Sequence, residues 1–433
     1  MRGTGLTIGA GLLGCGAAPR VADPAAPATP GAPSGPAPLD VSSWQAIRRH
    51  FDLTDELIHL GGFFLASHPT PVRDAIERHR KALDLNPFGY VEDNVGPLEI
   101  AARAAAASYL GVEPDDFAMT DSTTMGLALI YNGIELKPEQ EILTSEHDHP
   151  ATIWSLRYRA SRTGAKVRTI QLYEDSATTS EEAIVSAVTR AIKPETRMVA
   201  LTWVHSTTGV KTPVARIADA LAIVNRGRAN DYRVLLSIDG VHGFGIEDVT
   251  IADLRCDFFI AGCHKWLFGP RGTGIVWGRS SAWPAVTPTI PTFEVMWRTG
   301  PRDKFPIAAQ MTPGGFHSFE HRWALPAAFE FHAAIGKARV ATRIHELNRQ
   351  CKAGLAAMKH VRLYTPASDA LSAGLVCFDV DHLPPSAVIE RLKAKKILAS
   401  ESPYAFKCAR LAPSLLTSPE QIEVALREIR ALA

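Results

Sequence analysis

Seven short, largely apolar runs alternate with amphipathic segments between residues 117 and 278, and this alternation is what most constrains the fold. Strands buried on both faces of a parallel sheet read as nearly continuous apolar runs, and the intervening helices supply the crossovers. The chain is therefore predicted to be an α/β protein with a mostly parallel, seven-stranded sheet. The predicted strands are FAMTDS (117–122), EILTSEH (141–147), KVRTIQL (166–172), RMVALTWV (197–204), VLLSIDGV (234–241), DFFIAGC (257–263) and GTGIVWG (272–278).

The pattern changes after residue 322, and this change predicts a second, smaller α+β domain over 323–433. A helical region runs from Trp323 to His360, and the strand GLVCFDVD (374–381) follows it. A further helix, from about Pro385 to Lys395, precedes a closing strand and helix. An N-terminal arm and the large domain would then occupy 40–322.

Composition excludes several classes of protein. Lys and Arg number 46 against 45 Asp and Glu, so there is no basic surplus for binding a nucleic-acid backbone. The fractions of apolar residues (46%) and charged residues (21%) are those of a globular protein. The longest apolar run is too short to span a bilayer. The six cysteines form no C-x-x-C pair, and no metal site is predicted.

The first 39 residues have a different character. Arg2 precedes a short apolar run that ends in Leu12-Leu13-Gly14-Cys15, which resembles a bacterial lipobox. We interpret 1–15 as a signal peptide whose Cys15 is lipidated, and the Pro/Ala-rich stretch 16–39 as an extended linker. The protein is then expected to be exported and tethered to a membrane in the periplasm. The alternative is a wrongly assigned start codon and a cytoplasmic protein.

Reactive side chains accumulate where the predicted strands end, the edge at which open α/β sheets bind ligands. Ser122-Thr123-Thr124 precedes a helix, whose first N–H groups and hydroxyls can hold a phosphate. His147 and His149 follow the next strand. Asp239 ends a strand, where an unpaired carboxylate would be costly, and Lys265 follows another.

Asp239 and Lys265 together fit the requirements of pyridoxal phosphate. A carboxylate keeps the pyridine nitrogen of this cofactor protonated, and a desolvated lysine can bind its aldehyde as a Schiff base. The Ser122 loop would supply the phosphate site. Pyridoxal 5′-phosphate is therefore the predicted cofactor.

The segments SIDGVHGFG (237–245) and GCHKW (262–266) resemble the fold-type I, class V aminotransferase superfamily, in particular its isopenicillin N epimerase-like branch. Exported pyoverdine-tailoring enzymes are similar in combining this fold with export. The resemblance runs from about His59 to Ala433. It implies a large cofactor domain, a small C-terminal domain and a homodimer with active sites at the interface.

The resemblance also implies roles for individual residues. Lys265 would carry the Schiff base, and Asp239 would pair with the pyridine nitrogen. His147 would stack on the cofactor ring, with His149 as the rival. The remaining cofactor contacts would come from Ser122, Thr123, Thr124 and His264 at the phosphate, from Ser206 near O3′, and from His242 of the Asp-x-x-His pattern.

On the substrate side, the segment CARLAPSLLTSPEQIE (408–423) implies that Arg410 binds the substrate α-carboxylate in a bidentate manner. Two departures from the family pattern stand out. The loop of Ser402, Pro403 and Tyr404 has no cysteine where desulfurases place theirs. The family's partner-subunit Gly-Thr contact is replaced by a segment that contains His317, Ser318, His321 and Arg322.

These features predict an enzyme that acts at the α-carbon of an amino acid or peptide-like amine, by transamination or epimerisation. Export would suit the tailoring of a secreted metabolite. One alternative is a C–S lyase or cysteine desulfurase of the same superfamily. The other is a tethered binding protein that uses the fold without catalysis.

Overall fold

The fold is built on a seven-stranded sheet. The computed structural model describes residues 39–297, 301 and 304–433. The strands are β1 Ile58–His59, β2 Phe117–Thr120, β3 Glu141–Ser145, β4 Lys166–Ile170, β5 Thr196–Thr202, β6 Leu235–Asp239, β7 Phe258–Gly262, β8 Gly274–Gly278, β9 Val361–Leu363, β10 Val376–Val380, β11 Ile397–Leu398, β12 Ser400–Glu401 and β13 Ala409–Leu411.

Strand order in the large sheet is β2-β8-β7-β6-β5-β3-β4, and β8 alone runs antiparallel to its two neighbours. In this large sheet, every residue of every strand except β4 is buried, whereas β4, at the edge, is partly exposed. Continuous burial explains why these strands read as apolar runs rather than alternating patterns. The predicted mostly parallel seven-stranded sheet is confirmed.

Helices separate the strands and follow them to the C-terminus. They are α1 Trp44–Arg49, α2 Thr70–Leu85, α3 Pro87–Leu110, α4 Thr123–Gly133, α5 Pro150–Thr163, α6 Glu181–Ala191, α7 Val214–Val224, α8 Ile251–Leu254, α9 Ile307–Met311, α10 Phe319–Arg322, α11 Leu325–Ile335, α12 Lys337–Ala356, α13 Pro385–Ala394 and α14 Pro419–Arg430. The helical region predicted from Trp323 is divided between α11 and α12. Gly336 separates them with a φ of 93°, a conformation that favours glycine.

The smaller sheet is antiparallel, in the order β12-β13-β10-β9, and α12, α13 and α14 pack near it. Its core includes Leu347, Phe378 and Ile422. This is the predicted smaller C-terminal α+β unit. The N-terminal segment also contributes to it, because Leu60 lies in the same core and β1 pairs in parallel with β11.

Residues 1–38 lie outside the described residues, and so do the predicted signal peptide, Cys15 and almost all of the linker. Their export and lipid anchoring stay predictions, which fractionation of cells that express wild type or Cys15→Ala can test. Over 39–297, 301 and 304–433, no helix is long and apolar enough to cross a membrane.

Candidate active site

Lys265 and Asp239 follow adjacent parallel strands, β7 and β6, and meet at the carboxyl edge of the sheet. Asp239 is 1% exposed, and its Oδ1 accepts a hydrogen bond from the Val241 amide at 3.2 Å. Burial raises the pKa of Asp239 and lowers the pKa of Lys265, while their mutual attraction opposes both shifts. The structure therefore brings together the two residues on which the cofactor prediction depends.

His242 orients the Lys265 amine. The Trp266 indole N–H donates to His242 Nδ1 at 3.3 Å, and His242 Nε2 lies 3.3 Å from Lys265 Nζ. Burial holds the pKa of His242 well below its usual value, so the ring is neutral. With Nδ1 as the acceptor of the indole N–H, Nε2 is the ring nitrogen that faces the lysine. Burial lowers the pKa of Lys265 to about 8, so its neutral amine, the form that acts as a nucleophile or base, is more accessible than in an exposed lysine.

Asp148 is a buried residue near Asp239 that the sequence analysis did not single out. Its Oδ1 accepts from the Thr202 amide at 2.5 Å, and its Oδ2 accepts from the Ser145 amide at 2.7 Å and the Thr144 hydroxyl at 2.9 Å. These bonds join the ends of β3 and β5 beside Asp239. The charge of Asp148 also contributes to the raised pKa of Asp239. Its position inside the His-Asp-His run was the available signal.

The predicted phosphate site has three hydroxyls in different settings. Ser122 Oγ caps α4 by accepting from the Met125 amide at 3.2 Å, and its O–H stays able to donate. Thr123 Oγ1 accepts from the Gly262 amide at 2.8 Å, which joins the start of α4 to the end of β7. Thr124 is exposed. The first turn of α4 therefore presents hydroxyls and N–H groups at the same edge as Lys265.

Gly262 forms the floor of this phosphate site. A Cβ there would lie 2.8 Å from His264 Cε1 and 3.0 Å from Thr123 Oγ1, so a larger residue would force the His264 ring to shift. His264 Nδ1 is buried and has no hydrogen-bond partner among the described residues. An unsatisfied ring nitrogen beside a helix N-terminus is what a bound phosphate would satisfy. The residues present fit pyridoxal phosphate.

The two candidate ring-stacking histidines face different neighbours. His147 is stacked on Tyr173, with ring centroids 3.9 Å apart and planes 13° apart. His149 caps α5 through Nδ1, which accepts from the Ala151 amide at 3.0 Å. Burial and the charges of Lys265 and Arg410 lower the pKa of His149 to about 4.

These surroundings distinguish the two histidines. One face of its ring is already covered by Tyr173, and burial lowers the pKa of His147 to about 4, so the ring is neutral in place. Of these two histidines, His149 is the one whose pKa is lowered by the charge of Lys265. Stacking of His147 on the cofactor ring, with His149 as the rival, stays a prediction.

Arg410 is 4% exposed and is held by the chain around it. Its Nη1 donates to the Ser206 carbonyl at 2.9 Å, its Nη2 to the Glu401 carbonyl at 2.9 Å, and its Nε to the Ser400 hydroxyl at 3.2 Å. Each Nη carries two N–H groups and uses one of them in these bonds, so one N–H on each Nη can still donate to a carboxylate. Arg410 lies close to the Lys265 amine, since its charge also lowers the lysine pKa. This arrangement suits a carboxylate clamp.

Tyr404 is the second residue that the sequence analysis did not place in the site. Its hydroxyl lies 2.8 Å from Ser206 Oγ and interacts with the Arg410 guanidinium. Its ring meets the His149 ring edge to face, with centroids 5.5 Å apart. Ser206 is thus engaged by Tyr404 rather than free.

The segment that departs from the family's Gly-Thr pattern is engaged in polar contacts of its own. Arg322 is buried and pairs with Asp121 at 3.1 Å and Glu99 at 3.7 Å. His317 Nε2 lies 3.6 Å from Glu99, and His321 Nδ1 contacts a backbone carbonyl at 2.8 Å. These contacts give the segment a structural role in one protomer. A contribution of the partner subunit to the phosphate site stays a prediction.

Gly262→Ala is expected to weaken cofactor retention strongly, because the added methyl would push His264 and Thr123 out of the phosphate site. The matched control is Gly96→Ala, where an added Cβ meets nothing within 4 Å. Dialysis followed by the visible absorbance of the retained cofactor measures the effect. Equal retention by the two variants would show that Gly262 does not shape the site.

Comparisons with known proteins agree with this geometry. The family described as Aminotransferase class-V matches residues 99–417. The isopenicillin N epimerase of Streptomyces clavuligerus is 25% identical over 403 residues, which cover 88% of this chain and 96% of that protein. The isopenicillin N epimerase of Amycolatopsis lactamdurans is 26% identical over 357 residues, covering 79% and 85%.

A solved structure shows the same fold. The cystine C-S lyase C-DES, in complex with its product cysteine persulfide, superimposes with a TM-score of 0.76 at 24% identity, over 87% of this chain and 97% of that chain. The family match covers well over half of the sequence. The chain therefore belongs to the class V aminotransferase family of fold-type I enzymes, and its cofactor is pyridoxal phosphate.

Proposed function

We propose that this enzyme acts at the α-carbon of an amino acid or peptide-like amine, as an epimerase or aminotransferase. The observation that carries the proposal is the buried Lys265 amine, whose Nζ lies 3.3 Å from His242 Nε2 and whose pKa is lowered to about 8 by burial, with the charge of Arg410 contributing to this shift. A proton carrier beside a carboxylate-binding group is what α-carbon chemistry needs. The similarity to two isopenicillin N epimerases supports the epimerase alternative.

Each residue of the site has its own role in the proposed reaction. Pyridoxal phosphate, when bound, supplies an electron sink for the electron pair that is left when a bond to the α-carbon breaks. Arg410 binds the substrate carboxylate and fixes the orientation of the α-carbon. Lys265 Nζ takes up the α-proton and returns it. Asp239 supplies a buried negative charge, and His242 keeps the lysine oriented between proton transfers.

Cysteine burial disfavours a desulfurase that forms a persulfide on its own cysteine. Across 39–297, 301 and 304–433, all five cysteines are buried. Cys408 lies nearest to the clamp in sequence, but its Sγ donates to the Thr207 carbonyl at 3.2 Å. Contact with Cys377 and burial raise the pKa of the Cys408 thiol far above its usual value, so it is not a thiolate.

The experiment is incubation of the holoenzyme in D₂O with D- and L-amino acids and dipeptides. Deuterium at the α-carbon with inversion is expected for an epimerase, and formation of an oxo acid is expected for an aminotransferase. The Cys408→Ala variant should retain the wild-type rate. Release of sulfide from cysteine or cystine as the main reaction, or no reaction at the α-carbon, would contradict the proposal.

A further inference from the structure

A cavity of about 480 Å³ adjoins the active site on the far side of Tyr404. This volume lies within the range of small-molecule sites. Its walls come from the segment that leads into α5, the loop after β4, and strand β9 with the loop before β13. Five aromatic side chains line it: Trp154, Tyr173, Tyr364, Tyr404 and Phe406.

The cavity is acidic as well as aromatic. Four carboxyl groups and one guanidinium, that of Arg362, line it. Two of the acids have structural bonds: Asp148 joins two strands, and Asp175 accepts from the Ala177 amide at 3.0 Å. The carboxylates of Glu146 and Glu174 are exposed and remain available to a ligand. Aromatic faces and carboxylates both attract cations, so the walls favour a positively charged group.

Tyr404 separates this cavity from the substrate clamp. Its ring lines the cavity, while its hydroxyl contacts Ser206 and Arg410 on the other side. The short loop that carries it is closed by the Ser402 hydroxyl, which donates to the Phe406 carbonyl at 2.7 Å. Tyr404 therefore borders both the cavity and the clamp.

We propose that this cavity receives the part of the substrate that extends beyond its reacting amino-acid end, and that it selects extensions with a guanidinium, amidinium or ammonium group. The inference rests on the proposed function and adds a substrate class to it.

The first test measures binding without catalysis. Benzamidine is a flat aromatic cation, and benzamide is its neutral analogue; calorimetry on the holoenzyme gives both affinities. Wild type should bind benzamidine more tightly than benzamide. The double variant Glu146→Gln/Glu174→Gln should lose about five- to tenfold in benzamidine affinity with no change for benzamide, whereas exposed Glu330→Gln should behave as wild type. Equal binding of both probes, or no effect of the double variant, would overturn the proposal.

The second test links the cavity to the reaction. The rate of α-proton exchange is compared for arginine and citrulline, whose side chains match in length and shape but differ in charge. Arginine should have the higher kcat/KM, and the double variant should remove this preference while leaving citrulline unchanged. Exchange with no preference for arginine would overturn the inference and leave the proposed function standing. If no amino acid exchanged, the proposed function would fail, and the benzamidine result would still decide the cavity's charge preference.

Discussion

Replacement of Lys265 with alanine is expected to lower the rate of α-proton exchange by about 10²–10⁴-fold, the range for loss of a positioned acid–base group. The variant loses both the amine that binds the cofactor aldehyde and the group that moves the α-proton. No other lysine lines this part of the site in the described chain. Stopped-flow absorbance of the cofactor and NMR of the α-deuterium measure the two losses.

Two controls accompany this variant. Lys265→Arg keeps the positive charge, but a guanidinium does not deprotonate in proteins, so it should be as inactive as the alanine variant. Lys359→Ala removes an exposed lysine and should be fully active. Substantial activity in Lys265→Ala would mean that another residue moves the α-proton.

Asp239→Asn is expected to give the second largest effect, a loss of about 10²–10³-fold in kcat, as for removal of one buried electrostatic partner. Asparagine preserves the shape of the side chain and can still accept from the Val241 amide, so the fold should be retained. A neutral amide cannot hold the pyridine nitrogen protonated, and the electron sink is weakened.

The measurement is kcat together with the absorbance of the retained cofactor, with exposed Asp381→Asn as the control. We expect the Asp239 variant to keep part of its cofactor and to lose turnover. If kcat were unchanged, Asp239 would have no role in the chemistry. If the cofactor were lost completely, its role would be in binding.

The strands and the main reactive pair could be predicted because both depend on local sequence. Burial on two faces requires apolar residues along the whole strand, so β5, β6 and β7 were recognisable as runs. Asp239 and Lys265 stand out because charged side chains directly after such runs are costly unless they have a function. The parallel pairing of β6 and β7 then places them side by side.

Other parts of the site depend on geometry that the sequence does not display. The different surroundings of His147 and His149 depend on where α5 begins, because His149 is the residue that caps this helix. Asp148 accepts a hydrogen bond from the Thr202 amide of β5, which lies 54 residues away in sequence. Tyr404 reaches Ser206 only through the fold of the small domain. The pairing of β1 with β11 likewise depends on that fold.

Reduction of the wild-type holoenzyme with borohydride, followed by peptide mapping, tests the central claim most directly. This treatment fixes the cofactor irreversibly on the residue that holds its aldehyde. We predict a single labelled peptide, containing GCHKW (262–266), with the added mass on Lys265. A label on any other lysine, or no label in a protein that retains its cofactor, would contradict this account of the active site.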